Sequence, residues 1–95
     1  MRPTLGDDEI ASALSRLPGW AREGSAIIKT FQFKRFADGI AFVDRVAVSA
    51  DAMDHHPDID IRYVRIRVAL STHDAGGITA ADVKLAGEIE RAAAS

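Results

Sequence analysis

The sequence predicts an α+β fold in which three helices cover one face of an antiparallel four-stranded sheet, in the order α-β-β-α-β-β-α. Two observations predict it. Three segments repeat apolar residues at helical spacing, and the stretches between them alternate as strands do. With 95 residues, 47% of them hydrophobic and 27% charged, the chain has the length and composition of one ordinary folded domain, residues 1–95.

The first helix is predicted from about Asp7 to Leu17, because acidic residues at its start suit the positive end of the helix dipole. Pro18-Gly19 ends it. Glu23-Gly24-Ser25 is predicted as a turn between two short strands, the second running from Ala26 to Phe33. Ile27, Phe31 and Phe33 share one face of this strand and Thr30 and Gln32 the other, and Ile28 interrupts the polar face. In the first helix, the apolar residues that recur at helical spacing are Ile10, Ala13, Leu14 and Leu17.

The strongest helix signal runs from Ala37 to about Met53, and Pro57 cannot continue it. Its apolar stripe is predicted to consist of Phe36, Ile40, Val43, Ala47 and Ala50, widened by Phe42, Val46 and Met53. The following strand pattern, from Ile59 to Leu70, changes parity near Arg62-Tyr63. This change predicts a bulge, a tight turn or two strand pieces.

The last helix begins after a loop at Ala75-Gly76-Gly77. The segment Thr79-Ala80-Ala81-Asp82 has the form of a capping box, with Asp in place of the usual Glu. The helix that it opens carries Val83, Ala86 and Ile89 at helical spacing, with Leu85 beside them.

Composition and charge exclude several classes of function. The net charge of −2 argues against nucleic acid as the main partner, since phosphate binding needs a concentrated basic face. The absence of cysteine excludes disulfides, thiolate catalysis and Cys-ligated zinc. The start of the chain lacks the apolar core of a signal peptide, and no apolar run approaches the roughly 20 residues that span a bilayer. We therefore predict a cytoplasmic protein with no membrane partner.

All three histidines fall in two short polar segments, residues 51–57 and 71–74, which flank the strand-like run. We expect both segments to face one pocket. His55 and His56 are neighbours and lack the i, i+4 spacing that places two imidazoles on one helix face, so nothing in the spacing selects zinc or another metal.

General acid–base chemistry fits these residues better, because imidazole both donates and accepts protons near neutral pH. Asp51, Asp54 and Asp74 could orient a ring. Structural alternatives stay open: Asp54 could cap the turn, and Asp82 is explained by the capping box. A histidine could instead pack against Trp20 or Tyr63, and Thr72 could bond the backbone at a strand end. Trp20 itself is expected to belong to the core or to the pocket wall.

The chain also resembles a known family, pterin-4a-carbinolamine dehydratase, also called the dimerisation cofactor of a hepatocyte nuclear factor. The resemblance covers nearly the whole chain, and its most specific part is a His-His-Pro segment followed about 16 residues later by Thr-His-Asp. The matching segments are Leu17-Pro18-Gly19-Trp20, Phe31-Gln32-Phe33, Phe36, Phe42-Val43, Asp51-x-x-Asp54-His55-His56-Pro57, Leu70-Ser71-Thr72-His73-Asp74, Gly77-Ile78-Thr79-x-x-Asp82 and Leu85-Ala86.

The resemblance implies dehydration of a 4a-hydroxytetrahydropterin to the quinonoid dihydropterin, as in tetrahydropterin recycling, with no metal or other cofactor. It implies His55 and His73 as the main acid–base residues and His56 as a third contributor, with acid and base unassigned between them. It implies substrate contacts by Asp54, Ser71, Thr72, Asp74, Asp51 and Asp82, although Asp51 stands where many relatives have Glu. It also implies a homodimer or homotetramer. The alternative that it implies is a protein-binding scaffold or regulatory partner, alone or beside the enzyme.

Overall fold

The computed structural model describes residues 3–95, so the first two residues of the predicted domain lie outside the described residues. The elements follow the predicted order, with one short 3₁₀ helix added. They are α1 (Asp7–Leu14), β1 (Ala21–Glu23), β2 (Ala26–Gln32), α2 (Phe36–Met53), β3 (Asp58–Arg62), β4 (Arg65–Leu70), the 3₁₀ helix (His73–Ala75) and α3 (Ala80–Ala94).

The four strands form one antiparallel sheet in the order β1-β2-β4-β3, which confirms the predicted architecture. The register pairs Ile27 with Leu70 and Phe31 with Ile66, so the apolar positions of β2 and β4 share one face. All three helices contribute side chains to the core on that face. The core consists of Ile10, Leu17, Trp20, Ile27, Phe31, Phe42, Val46, Ala50, Ile66, Val68, Leu70, Ile78, Leu85, Ala86, Ile89 and Ala92.

The opposite face of the sheet is largely exposed. The residues that pair with Ile28 explain why an apolar side chain lies on this face. In the register, Ile28 lies opposite Ala21 on one side and Ala69 on the other. Ile28 is only half-buried. A small apolar patch on the open sheet face therefore accommodates this residue, while Thr30 and Gln32 of the same strand are exposed as predicted.

The first helix is three residues shorter than predicted, since α1 ends at Leu14. The chain continues in tighter turns, in which the N–H of Arg16 donates to the carbonyl of Ala13 and the N–H of Leu17 to that of Leu14. Pro18 disfavours helical geometry at the residue before it, which accounts for the early end. Leu17 is nevertheless buried, so the spacing predicted its burial correctly.

The second helix buries only part of the predicted stripe, namely Ala50 together with Phe42 and Val46 from its widened edge. Phe36 and Ala47 are exposed, and Ile40 and Val43 are only half-buried. Apolar residues surround more than half of this helix, so spacing alone does not select the line that meets the sheet. The buried residues of α2 are Gly39, Phe42, Val46 and Ala50.

The parity change near Arg62-Tyr63 is a tight turn between two strands. Arg62 pairs with Arg65, which leaves Tyr63 and Val64 as a two-residue hairpin loop. Tyr63 has a φ of 51°. A positive φ at the first loop position suits the twist of paired strands. The strand-like run is therefore a hairpin, and its two ends return to the same edge of the molecule.

Within residues 3–95, no helix combines the length and the apolar character needed to cross a membrane.

Two helical glycines give a matched stability prediction. Glycine in a helix interior costs roughly 0.5–1 kcal/mol relative to alanine. A Cβ on Gly87 would meet no atom within 4 Å, so we expect Gly87→Ala to stabilise the protein by about that amount. A Cβ on Gly39 would lie 2.8 Å from Ile66 Cδ1 and 3.4 Å from Phe33 Cδ2, so Gly39→Ala should destabilise it by ~1–3 kcal/mol through overpacking. Urea unfolding of both variants measures the difference, and equal effects would contradict this packing of α2.

Candidate active site

The β3–β4 hairpin brings the two histidine segments together. Because Asp58 pairs with Ala69, the residues just before β3 lie beside the residues just after β4. They surround an open pocket of about 560 Å³. Seven of the nine predicted site residues line it: Asp54, His55, His56, Ser71, Thr72, His73 and Asp74. The expectation of one shared pocket is therefore met.

The end of α2 separates the two neighbouring histidines. Asp54 adopts the left-handed conformation, with φ 47° and ψ 44°, and the N–H of His55 donates to the carbonyl of Ala50. This is the backbone pattern by which many helices stop, and Asp tolerates it better than most residues. After this turn His55 is 7% exposed, whereas the side chain of His56 is 56% exposed. The backbone of Asp54 thus directs one ring inward and the other outward.

A fully buried carboxylate holds the inner histidine. His55 Nε2 lies 2.6 Å from Oδ1 of Asp82, which is 27 residues away in sequence and 0% exposed. Oδ2 of Asp82 accepts the hydroxyl of Thr72 at 2.8 Å and the backbone N–H of Thr79 at 2.9 Å. Asp82 does not line the pocket. It lies beyond the ring of His55, as the predicted third residue of α3, and its capping role and its contact with the histidine coexist.

The number of hydrogens available determines which group donates and which accepts in each bond of this network. The single hydroxyl hydrogen of Thr72 goes to Asp82, so Thr72 Oγ1 accepts the hydrogen of Thr79 Oγ1, which lies 2.8 Å away. Thr79 Oγ1 in turn accepts the N–H of Ala81. With Oδ2 accepting two donors, an ionised Asp82 also accepts at Oδ1, which places the ring hydrogen of His55 on Nε2.

The outer histidine has an exposed carboxylate partner. His56 Nε2 lies 2.9 Å from Oδ1 of Asp51, whose side chain is 78% exposed. Asp51 does not line the pocket. Its contact with His56 nevertheless shows that aspartate reaches this ring, even with a shorter side chain than glutamate. An exposed pair of this kind restrains a ring much less than a buried one does.

The third histidine reaches the pocket from the segment after β4. His73 begins the 3₁₀ helix, directly after Thr72, and both His73 and Asp74 are exposed. The backbone N–H of Thr72 donates to the carbonyl of Gly77, and Gly76 has a φ of 75°, which closes this short loop. The predicted loop over residues 75–77 is thus part of a compact turn that projects His73 and Asp74 at the pocket mouth.

Ser71 ties the pocket to the neighbouring hairpin. Its hydroxyl donates to the carbonyl of Ser25 at 2.7 Å, in the turn between β1 and β2. The hydroxyl hydrogen is therefore used within the protein, and only the oxygen lone pairs of Ser71 are left to accept a bond from a ligand.

The aromatic residues named as alternative histidine partners lie elsewhere. Trp20 is buried in the core, packs edge-on against Phe31 and donates its Nε1 hydrogen to Glu90. Tyr63 stacks on Phe36 at the hairpin turn, at the far end of β3 from His55. The interpretation of a histidine packed against Tyr63 is therefore wrong, and Trp20 belongs to the core rather than the pocket wall.

The sequence indicated one further residue of the site without revealing its importance. Thr79 was predicted only as a helix cap, yet its hydroxyl also bonds Thr72 inside the network. Nothing in the spacing of the two threonines showed this contact. Among the residues that the structure describes, no group of three or more His, Asp or Glu side chains is placed to hold a metal ion.

The fold and the site define a small α+β protein with an open pocket, lined by histidines and carboxylates, at one edge of its sheet. The family described as pterin 4 alpha carbinolamine dehydratase matches residues 3–92. The chain belongs to this family.

Relatives match over most of their length. A Thermomicrobium roseum protein named "Putative pterin-4-alpha-carbinolamine dehydratase" is 52% identical, covering 86% of this chain and 88% of its own. A Chloroflexus aurantiacus protein of the same name is 51% identical, over 93% and 95% respectively. A Brucella melitensis crystal structure, described as a transcriptional coactivator/pterin dehydratase, has a TM-score of 0.92 and 35% identity over 95% of this chain and 98% of its own.

A more distant structure shares the fold alone. It is a pterin dehydratase-like protein described as a RuBisCO assembly factor in the alpha-carboxysome. It has a TM-score of 0.65 and 22% identity, covering 80% of this chain and 88% of that one.

Proposed function

We propose that this protein is a hydro-lyase that dehydrates 4a-hydroxytetrahydropterins to quinonoid dihydropterins, with residues 1–95 acting as one catalytic domain. The observation that carries the proposal is the pocket itself. A buried histidine held by a buried carboxylate faces the same space as two exposed histidines, in a chain that belongs to the dehydratase family.

The reaction needs two proton transfers in one small space. The 4a-hydroxyl leaves as water after it gains a proton, and the ring nitrogen beside the 4a-carbon loses a proton as the carbon–nitrogen double bond forms. Protons and charge balance, so no oxidant or reductant is consumed. Positioned imidazoles suit both transfers, because each can donate or accept a proton near neutral pH.

The family resemblance and the place of each histidine in the pocket support a division of roles. We assign the proton exchange with substrate to His55 and His73, which line the pocket from two different segments. Asp82 fixes the ring of His55, as a buried carboxylate does in other catalytic pairs. His56, steadied by Asp51, is the third contributor and positions the substrate or assists departure of the hydroxyl.

Three of the remaining predicted residues, Asp54, Asp74 and Ser71, fit contact with the pterin at the rim. Asp54 and Asp74 are exposed carboxylates that can accept bonds from the amino and ring N–H groups of a pterin. Ser71 can offer its oxygen as an acceptor. We further propose a cytoplasmic homodimer or homotetramer.

A second candidate function is binding to another protein, alone or beside catalysis. The observation that favours it is the Brucella melitensis relative, which is described both as a transcriptional coactivator and as a pterin dehydratase. The complete set of three pocket histidines favours the enzyme, since a pure scaffold has no chemical need for it.

The direct test is a stopped-flow assay of the purified protein. We expect it to accelerate the loss of the 4a-carbinolamine absorbance with no added metal, and to do so equally after treatment with a chelator. Boiled protein and buffer are the controls for the uncatalysed reaction. A rate equal to that of buffer would refute the proposed function, and a rate abolished by the chelator would refute the metal-free mechanism.

A further inference from the structure

The two threonines of the buried network have no role in the proton transfers themselves, yet they occupy a fixed place behind the reacting histidine. Thr72 and Thr79 are each 1% exposed. The hydroxyl of Thr72 donates to Asp82 and accepts from Thr79, so its one hydrogen is used inside the protein. The hydroxyl of Thr72 is therefore unable to donate to a substrate while it holds Asp82.

We propose that Thr79, the N-cap of α3, is a positioning residue that acts on His55 through Thr72 and Asp82. The proposal rests on the proposed function. The hydroxyl of Thr79 makes two hydrogen bonds at once. The oxygen accepts the N–H of Ala81 and caps the helix, while the hydrogen holds Thr72 in the rotamer that donates to Asp82.

The chain of bonds explains how a helix cap can influence a reacting ring. If Thr79 no longer donates, the oxygen of Thr72 accepts no bond and the buried hydroxyl keeps only its bond to Asp82, so its rotamer is less firmly held. Thr72 can then rotate away from Asp82. The carboxylate loses one of the donors on Oδ2 and becomes less firmly oriented toward His55 Nε2. Among the described residues, no buried side-chain nitrogen or oxygen lacks a hydrogen-bond partner, so the network has no spare donor to substitute.

The test compares Thr79→Val with Thr79→Ser. Valine has nearly the shape of threonine and lacks the hydroxyl, whereas serine keeps both the cap and the donor. We expect Thr79→Val to lower kcat about tenfold with KM unchanged, the lower end of the loss seen when outer partners of metal-bound histidines are removed. Thr79→Ser should restore the wild-type kcat.

A matched control separates positioning from stability. Loss of the cap should lower the unfolding midpoint of Thr79→Val by on the order of 5 °C. Ile89→Val, in the buried part of the same helix, should lower the midpoint comparably without changing kcat, because it lies outside the network. If Thr79→Val does not fold, Thr79→Gly replaces it, since glycine retains most of the capping preference without any hydroxyl.

A second readout needs no pterin. Nitrogen NMR of the imidazoles should show the His55 ring hydrogen on Nε2 in the wild type and in Thr79→Ser, and a changed Nε2 signal in Thr79→Val. Unchanged His55 signals together with a wild-type kcat and pH–rate profile would overturn the proposal. An inactive wild-type protein would instead refute the dehydratase function, while the ring signals would still decide whether Thr79 is coupled to His55.

Discussion

His55→Ala and His73→Ala are each expected to lower the dehydration rate by about 10² or more, the usual contribution of a positioned acid or base. The two residues line one pocket from two different segments of the chain. Since the reaction both delivers and removes a proton, neither remaining histidine should replace the missing one. Stopped-flow kinetics with each purified variant measures the loss, and circular dichroism shows whether the fold is intact.

The two variants differ in their expected effect on stability, and the choice of substitution has to take this difference into account. His73 is exposed, so His73→Ala should fold normally. His55→Ala leaves the buried Asp82 without its nitrogen partner, a change that costs ~3–5 kcal/mol in comparable buried pairs. His55→Gln is the better variant, because its amide can donate to Asp82 while lacking proton exchange near neutral pH. His56→Ala, with its exposed ring, should lose less activity than either.

Near-wild-type rates in both His55→Gln and His73→Ala would show that the roles are wrongly assigned, even if the wild-type protein is active. The same His73→Ala protein separates the two candidate functions. A protein partner captured by the wild type should still be captured by this variant, because an exposed pocket residue is altered while the fold remains.

Asp82→Asn is expected to lower the rate by about 10²–10⁴ while the protein stays folded. The amide has the same shape as the carboxylate, and its oxygen can still accept from Thr72 and Thr79. Its NH₂ group then faces His55 Nε2, which must become an acceptor, so the ring hydrogen moves to Nδ1. In a serine protease the corresponding Asp-to-Asn change leaves geometry intact and drops kcat by about 10⁴, because the histidine has the wrong tautomer.

The predicted tautomer change is itself measurable, since imidazole nitrogen NMR distinguishes Nε2–H from Nδ1–H. Asp60→Asn is the matched control, because Asp60 is an exposed aspartate paired with Arg62 on the open face of the sheet. It should change neither rate nor tautomer. By contrast, Asp82→Ala leaves three buried donors unsatisfied, each at ~1–3 kcal/mol, and should unfold much more readily. An Asp82→Asn protein with wild-type kinetics would contradict the role of the carboxylate.

Local sequence patterns predicted which helices and strands form more accurately than they predicted where a helix ends or which of its residues are buried. The capping box at Thr79 and the parity change at Tyr63 were read correctly, because each depends on a few neighbouring residues. The end of α1 and the buried stripe of α2 were wrong in detail. The stripe depends on how the helix is rotated against the sheet, and an apolar surface around more than half of a helix leaves that rotation open.

The sequence by itself determined that three histidines flank one strand-like run, that a capping box places Asp82 at the start of the last helix, and that cysteine chemistry is excluded. Only the tertiary structure decided which histidine is buried and which carboxylate holds it. The sequence offered Asp51, Asp54 and Asp74 as partners for a ring, and the structure pairs His56 with Asp51 but His55 with Asp82, 27 residues away. That contact exists because the β3–β4 register and the packing of α3 bring two distant segments within hydrogen-bond reach, and no periodicity along the chain encodes such a distance.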